Sequence, residues 1–126
     1  QQVNVSPATC HRRTSRLVAE GYITAVRAQV APKSVGLGAL VMVGVVLDRS
    51  TPESFAAFED AVSALDEVLD CSLVAGDFDY LLKIRARDMS DFNSFHGQQL
   101  IALPGVRQTR TFFVMKEVKE NAPLPF

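Results

Sequence analysis

The chain has 126 residues, of which 48% are apolar and 21% charged, with 13 basic against 14 acidic side chains. This profile is typical of one globular domain, and it excludes a disordered chain, a collagen-like chain and a small disulfide scaffold. Charge is unevenly distributed, because residues 1–27 carry a balance of +3 and residues 28–126 a balance of −4. Only the first segment therefore suits a polyanionic partner.

The cysteines and the apolar runs indicate the cellular compartment of the protein. Cys10 and Cys71 form neither a CxxC motif nor a cluster, which favours a reducing cytoplasm. The longest uncharged apolar run has 13 residues, 35–47, whereas a membrane helix needs ~20. We find no pattern of a signal peptide. We therefore expect a cytoplasmic protein that does not span a membrane.

The first predicted element is a helix that begins at Ser6-Pro7 and ends at Gly21. Serine caps free backbone amides, proline suits the first helical position, and glycine suits the position after the last turn. One stripe of this helix is turned inward and the opposite stripe is cationic; the inward positions are Cys10, Thr14, Leu17 and Val18.

The cationic stripe carries like charges four residues apart. Arg12 and Arg16 repel each other at this spacing, so they do not stabilise the helix itself. A phosphate backbone would explain them. The alternative, which charge alone leaves open, is the solvated face of an ordinary surface helix.

The rest of the chain alternates predicted strands and helices. Loose alternation predicts a connecting strand over residues 23–30, and an unbroken apolar run predicts a strand over 39–47. A helix follows, because residues 48–53 supply a cap, a proline and an early acid, and apolar residues then recur at helical spacing to Leu69. Further elements are predicted in this order: strands 71–75 and 80–86, a helix at about 90–103, and a strand at 108–118.

The order after the connecting segment is β-α-β-β-α-β. This order predicts an α+β, ferredoxin-like fold, with a four-stranded antiparallel sheet and both helices on one face. The strand at 39–47 lacks the polar alternation of a sheet with one wet face, so its second face also needs a cover. We therefore expect a homodimer packed sheet to sheet.

The turn between the two short strands is the first candidate small-molecule site. Gly76, Asp77, Phe78 and Asp79 place two carboxylates two residues apart, and such carboxylates can hold an ammonium group by charge-assisted hydrogen bonds. Successive turn amides can receive a carboxylate. Together they would suit a free amino acid. A plain hairpin turn with polar tips is the alternative, since turns use glycine and aspartate anyway.

The last strand offers further contacts for the same ligand. Strand alternation places Thr109 and Thr111 on one face and Arg110 on the other, although threonine is common in strands for its β-propensity alone. His96 is interpreted as a packed or interface histidine. With His11 the only other histidine, no metal site and no cofactor are expected, and no catalytic motif is present.

The motifs in this order resemble the Lrp/AsnC (feast/famine) regulators. The similarity covers nearly the whole chain, from about residue 5 to 119, and the segments GDFDYLLK and LPGV followed by TRT are specific. The residues that carry it are Val5-Ser6-Pro7-Ala8-Thr9-Cys10 with Arg13, Leu17 and Gly21-Tyr22-Ile23, then Val74 to Lys83, Leu103-Pro104-Gly105-Val106 and Thr109-Arg110-Thr111.

The resemblance implies a bacterial, nucleoid-associated transcription regulator with two domains. A helix-turn-helix would bind double-stranded DNA, and residues 6–20 would be its recognition helix. A ferredoxin-like domain would bind an amino acid, with leucine as one candidate, and would assemble dimers into octamers. The family has two more helices ahead of this segment, so we expect a piece of a longer protein. The implied domains are 1–22 for the DNA-binding part, 23–38 for the linker strand, 39–120 for the ligand domain and 121–126 for a tail.

The resemblance also implies which residues act. The DNA-facing candidates are Ser6, Thr9, Arg12, Arg13 and Arg16, and the effector-binding candidates are Gly76, Asp77, Phe78, Asp79, Thr109 and Thr111. Three residues depart from the family pattern. Thr14 stands where a branched apolar residue is usual, and His96 and Gly97 stand in a helix that is usually apolar.

Three functions remain to be weighed. The leading hypothesis is a DNA-binding regulator whose activity or assembly responds to a small amino acid. The alternative is a standalone amino-acid-sensing module that does not touch DNA. A small ferredoxin-like enzyme, such as a monooxygenase, is disfavoured because no nucleophile or acid/base pair is recognisable.

Overall fold

The structure, a computed structural model, describes residues 7–126, with side chains from residue 11 onward. Ser6 and the side chains of Thr9 and Cys10 therefore lie outside the described residues. The chain divides into two compact units, one reaching Val30 and the other running from Ala31 to Phe126.

The first unit contains helix α1, Pro7–Ala19. Gly21 has φ +82° and donates its N–H to the Val18 carbonyl, while the Tyr22 N–H bonds to the Leu17 carbonyl at 2.9 Å. These two bonds form a Schellman motif, in which the left-handed residue is usually glycine. The predicted end of the helix at Gly21 is confirmed. Thr14 and Leu17 are half-buried, as the inward stripe requires, whereas Val18 is exposed.

The predicted connecting strand over residues 23–30 is wrong. These residues form no strand, and the next regular element is a short 3-10 helix, Pro32–Val35. A strand exists only where a neighbouring strand takes its backbone hydrogen bonds, and within the described chain no strand pairs with this segment. Loose alternation of apolar residues is therefore not sufficient evidence for a strand over residues 23–30.

The second unit is a four-stranded sheet with two helices. The strands are β1 (Ala39–Leu47), β2 (Val68–Leu73), β3 (Tyr80–Ala86) and β4 (Val106–Phe113), and the helices are α2 (Pro52–Ser63) and α3 (Met89–Phe95). The strand order is β2-β3-β1-β4, and every neighbouring pair is antiparallel. This is the predicted ferredoxin-like arrangement.

Side-chain caps fix where the two helices begin. Thr51 accepts a hydrogen bond from the Ser54 N–H at 3.1 Å at the start of α2, and Asp88 accepts one from the Asp91 N–H at 2.8 Å at the start of α3. Such caps satisfy amides that have no partner within the helix. The helix start predicted after β1 is confirmed, with Thr51 as its cap.

One face of the sheet, the inner face, packs on both helices. Alternate residues of β1 and β3 point into this core together with apolar residues of the helical segments, which confirms that both helices cover the same face. The buried members are Val41, Val43, Val45, Leu47, Tyr80, Leu82, Ile84 and Ala86 from the strands, and Phe58, Val62, Phe92, Phe95, Leu100 and Leu103 from the helical side.

Several element boundaries differ from the sequence prediction; α2, for example, ends at Ser63 instead of near Leu69. β2 begins at Val68 instead of residue 71, and β4 ends at Phe113 instead of residue 118. The second helix ends at Phe95 and continues as one π-helical turn, His96–Leu100. No helix in the described part of the chain has the length and apolar character needed to cross a membrane.

Candidate functional site

Helix α1 presents an exposed cationic face. Arg12, Arg13 and Arg16 are all exposed. Helical spacing places Arg12 and Arg16 on the side opposite Thr14 and Leu17, with Arg13 on the flank. Arg16 lies 3.8 Å from Glu20 in an ion pair whose side chains are 73% and 52% exposed. Exposed pairs of this kind contribute little to stability, so the pair with Glu20 does not commit Arg16 to a structural role.

The turn between β2 and β3 is fastened to β1 by Asp79. The Asp79 N–H donates to the Val45 carbonyl at 2.9 Å, and the Asp79 carboxylate accepts the Leu47 N–H at 2.8 Å through Oδ2. The register between β1 and β4 shifts between Val46 and Leu47, so this carboxylate serves an amide at an irregular point of the sheet. Asp77 and Gly76 are exposed at the tip of the turn.

Phe78 leaves the turn toward the second face of the sheet, the open face. Its ring lies on Gly44 so closely that a Cβ added at Gly44 would be 2.6 Å from ring carbons. The ring also meets Phe112 edge to face, with centroids 6.2 Å apart. Gly44 is therefore needed for close approach, a role that the sequence did not reveal.

The β4 residues divide between the two faces as alternation predicts. Thr109 is paired with Val45 and Thr111 with Val43, so both threonines lie on the inner face and are half-buried. Arg110 is paired with Gly44 and lies on the open face. The faces predicted for the two threonines and for Arg110 are confirmed.

His96 is the polar neighbour of Thr109. Its Nε2 lies 2.9 Å from Thr109 Oγ1, and its ring centroid lies 5.9 Å from that of the buried Phe92. His96 is half-buried, as expected for a packed histidine. The hydrogen bond to a candidate effector residue was not predicted, since nothing in the sequence pairs the two positions.

The six effector candidates lie around one end of β1, but their side chains do not all point to the same face of the sheet. Asp79, immediately before β3, and Thr109, on β4, flank Val45 on its two sides. Phe78 points to the open face, whereas the two threonines point to the inner face. A ligand that touched all of them would have to sit at the edge where the strands end.

The open face is apolar along β1 and mixed along β4, where Gln108 and Arg110 lie beside Phe112. Leu40 is buried, Met42 and Val46 are half-buried, and Phe112 is half exposed. Neither α2 nor α3 covers this face, since the helical core lies on the other side. At one side of the face, Arg85 and the Glu117 carboxylate form a two-pronged ion pair with both distances 3.0 Å.

Another group of polar side chains, Glu59, Cys71 and Tyr80, lies between α2 and the strands β2 and β3. Tyr80, which is 1% exposed, donates its hydroxyl hydrogen to Glu59. Burial, followed by this hydrogen bond, raises the pKa of the Tyr80 phenol. Burial and the Glu59 charge also raise the pKa of the Cys71 thiol, so this cysteine is less reactive than an ordinary one. Among the described residues, no three His, Cys, Asp or Glu side chains gather as metal ligands.

Comparison with known proteins identifies the family. A model described as the Lrp/AsnC ligand binding domain matches residues 40–124, and a winged helix-turn-helix DNA-binding model matches residues 1–24. The chain belongs to the Lrp/AsnC family. The Lrp/AsnC resemblance drawn from the motifs is therefore confirmed.

Relatives and solved structures of the Lrp/AsnC family match almost the entire chain. The leucine-responsive regulatory proteins of Klebsiella pneumoniae and Escherichia coli K12 are each 43% identical over 121 residues, which is 96% of this chain and 74% of theirs. A transcriptional regulator of Neisseria meningitidis, solved with L-methionine, has a TM-score of 0.84 and 33% identity over 96% of this chain and 78% of its own. An AsnC family regulator of Agrobacterium tumefaciens has a TM-score of 0.83 and 26% identity, with the same coverage.

Proposed function

We propose that this Lrp/AsnC protein regulates transcription by binding DNA through α1 and an amino acid through its ferredoxin-like domain, and that the amino acid changes how the protein binds DNA. The observation that carries this function is the joint match of both family models to one chain. A ligand shifts such an equilibrium only if it binds the two states with different affinity. The proposed activity is binding, without a catalytic step.

The DNA contact is assigned to the exposed face of α1. The backbone-contacting side chains we propose are Arg12, Arg13 and Arg16, and we retain Ser6 and Thr9, whose side chains are not described, as candidates for base contacts. Arginine neutralises phosphate and releases counterions, so affinity should fall steeply as salt rises.

A variant set tests this assignment. Replacing Arg12, Arg13 and Arg16 by Ala in the full protein should abolish binding of a labelled DNA duplex, whereas Arg49→Ala, which removes an exposed arginine after β1, should not. Each lost phosphate contact should also reduce the salt slope by about one. A triple variant that binds DNA like the parent would remove these arginines from the DNA contact. A parent protein that binds no DNA would support the standalone amino-acid sensor instead.

The effector site is assigned to the turn and to the end of β4 beside it. Asp77 is exposed and can bind an ammonium group. Asp79, two residues further along the turn, bonds to the Leu47 N–H through Oδ2, so its Oδ1 is the oxygen assigned to the same ammonium group. The two threonine hydroxyls supply donors for a carboxylate. The relatives' names point to leucine and methionine as the first amino acids to test.

A thermal-shift panel of the twenty amino acids tests this site. A ligand at ~100 times its dissociation constant adds ~2.7 kcal/mol of stability, so the effector should raise the melting temperature clearly. Asp77→Ala should remove the shift without lowering the melting temperature of the free protein. If no amino acid shifts the melt, the site assignment fails.

We also propose that two chains pack through the open face and that dimers assemble further, into an octamer. An uncovered apolar face of this kind is typical of an interface. A sheet-to-sheet dimer would bury Met42 and Phe112, which a single chain leaves partly exposed. Static light scattering at micromolar concentration should give at least twice the chain mass. We place this regulator in the bacterial cytoplasm, at the nucleoid, since its proposed partner is genomic DNA.

A further inference from the structure

His96 stands where α3 changes its winding. The Ile101 N–H bonds to the His96 carbonyl at 3.2 Å, five residues back, which makes this turn π-helical. The flanking residues Phe95 and Leu100 are both buried, although they are five positions apart. Single π-helical turns are uncommon and are often found at functional sites.

The turn brings the imidazole onto the inner face of β4. His96 Nε2 lies 2.9 Å from Thr109 Oγ1, and the ring also lies beside Phe92. Both His96 and Thr109 are half-buried, so the contact is partly shielded from water while Thr109 keeps an open side. Partial shielding strengthens a hydrogen bond and restricts the two side chains.

A threonine hydroxyl has one hydrogen to donate and two lone pairs to accept with. When Nε2–H donates to Thr109 Oγ1, the hydroxyl hydrogen is left free to point elsewhere. A carboxylate requires such a donor. In the proposed effector site the aspartates take the ammonium group, so the hydroxyl donors are needed by the carboxylate end of the amino acid.

We infer that His96 is a positioning residue that holds the Thr109 hydroxyl as a donor for the carboxylate of the bound amino acid. This inference rests on the proposed effector site. His96 does not touch the ligand in this arrangement; it acts through Thr109. It therefore contributes to discrimination between a free amino acid and a derivative without the carboxylate.

The test compares L-methionine with 3-(methylthio)propylamine by calorimetric titration of the full protein. This amine keeps the ammonium group and the side chain but has no carboxyl oxygen to accept a hydrogen bond. His96→Leu should weaken L-methionine binding by about three- to tenfold, as expected for one hydrogen bond, and leave binding of the amine unchanged. His96→Gln should restore part of the discrimination, since its amide N–H can donate from a similar position. Thr109→Val should give the same loss as His96→Leu, and the double variant should lose no more. Asn93→Ala, an exposed change on the same helix, is the control.

The outcomes separate this inference from the proposed function. If Thr109→Val loses discrimination while His96→Leu retains it, His96 has no positioning role and the effector site stands. If His96→Leu weakens both ligands equally, its effect is on packing and the inference is overturned. If the unaltered protein binds neither L-methionine nor L-leucine, the inference and the proposed effector both fail.

Discussion

The carboxylate of Asp79 accepts the backbone N–H of Leu47 at 2.8 Å, at the point where β1 and β4 lose their regular register. Leu47 is 4% exposed, so its amide has little access to water. An aspartate that appears from the sequence to be a ligand contact is therefore also a structural partner of a buried amide.

This double role gives a prediction about stability. Asp79→Ala should destabilise the protein by about 1–3 kcal/mol, because it leaves a buried donor unsatisfied. Asp79→Asn should cost less, since the amide oxygen can still accept the Leu47 N–H. Chemical denaturation measures both, with exposed Asp77→Ala as the control that should change nothing. Equal stability of the Asp79→Ala and Asp77→Ala proteins would contradict the structural role.

The contact between Gly44 and Phe78 predicts a non-additive pair. Gly44→Ala should cost about 1–3 kcal/mol, because the new Cβ would lie 2.6 Å from carbons near the base of the ring and the ring must move. In a Phe78→Ala background the same change should cost much less. A double-mutant cycle by urea denaturation measures the coupling; additive costs would show that the ring does not lie on Gly44.

Tyr80 predicts how stability depends on pH. Burial and the bond to Glu59 raise the pKa of its phenol above the ordinary value of 10.0, so folding favours the neutral phenol. This contribution is complete below about pH 10 and is lost as the pH rises further. In Tyr22→Phe protein, Tyr80 is the only tyrosine, and its phenolate absorbance should appear only at higher pH than in free tyrosine.

Two controls accompany the tyrosine titration. Glu59→Gln removes the nearby negative charge and should bring ionisation to lower pH. Circular dichroism at each pH shows whether the protein is still folded. Ionisation at the ordinary pH in a protein that remains folded would mean that Tyr80 is not buried as described.

The open face predicts how the chain assembles. Met42→Glu should place a charge in the proposed dimer interface and reduce the mass measured by light scattering to that of a single chain. Met89→Glu is the matched control, because Met89 is exposed at the start of α3, in the helical layer. Circular dichroism checks that both variants fold. A Met42→Glu protein that keeps the parental mass would remove this face from the interface.

The regular parts of the fold could be predicted because apolar runs and turn glycines indicate the same element boundaries there. The limits of β1 and β3, the turn between β2 and β3 and the end of α1 at Gly21 were read correctly from apolar runs and glycines. The start of β2 was missed because Leu69 continues the helical spacing of α2, although the helix ends at Ser63. The connecting strand was wrong because alternation shows only which side chains share a face, whereas a strand also needs a partner.

The candidate site was less predictable than the fold. The turn and the β4 threonines were proposed from their residue types. Strand pairing then places Asp79 and Thr109 beside Val45 and Thr111 beside Val43. The π-helical turn was not found, although the spacing of five between Phe95 and Leu100 is a signal for it. The bonds of His96 to Thr109 and of Asp79 to Leu47 join residues 13 and 32 positions apart, and no local pattern can show such contacts.

The most direct test of the account is the DNA affinity of the full protein measured with and without amino acid, by fluorescence anisotropy at fixed salt. L-leucine or L-methionine should change the dissociation constant for DNA by about 5- to 150-fold, the usual range of allosteric coupling, and Asp77→Ala should abolish the change while keeping the affinity of the free protein. An unaltered protein that binds the amino acid and still shows the same DNA affinity in its presence would contradict the account.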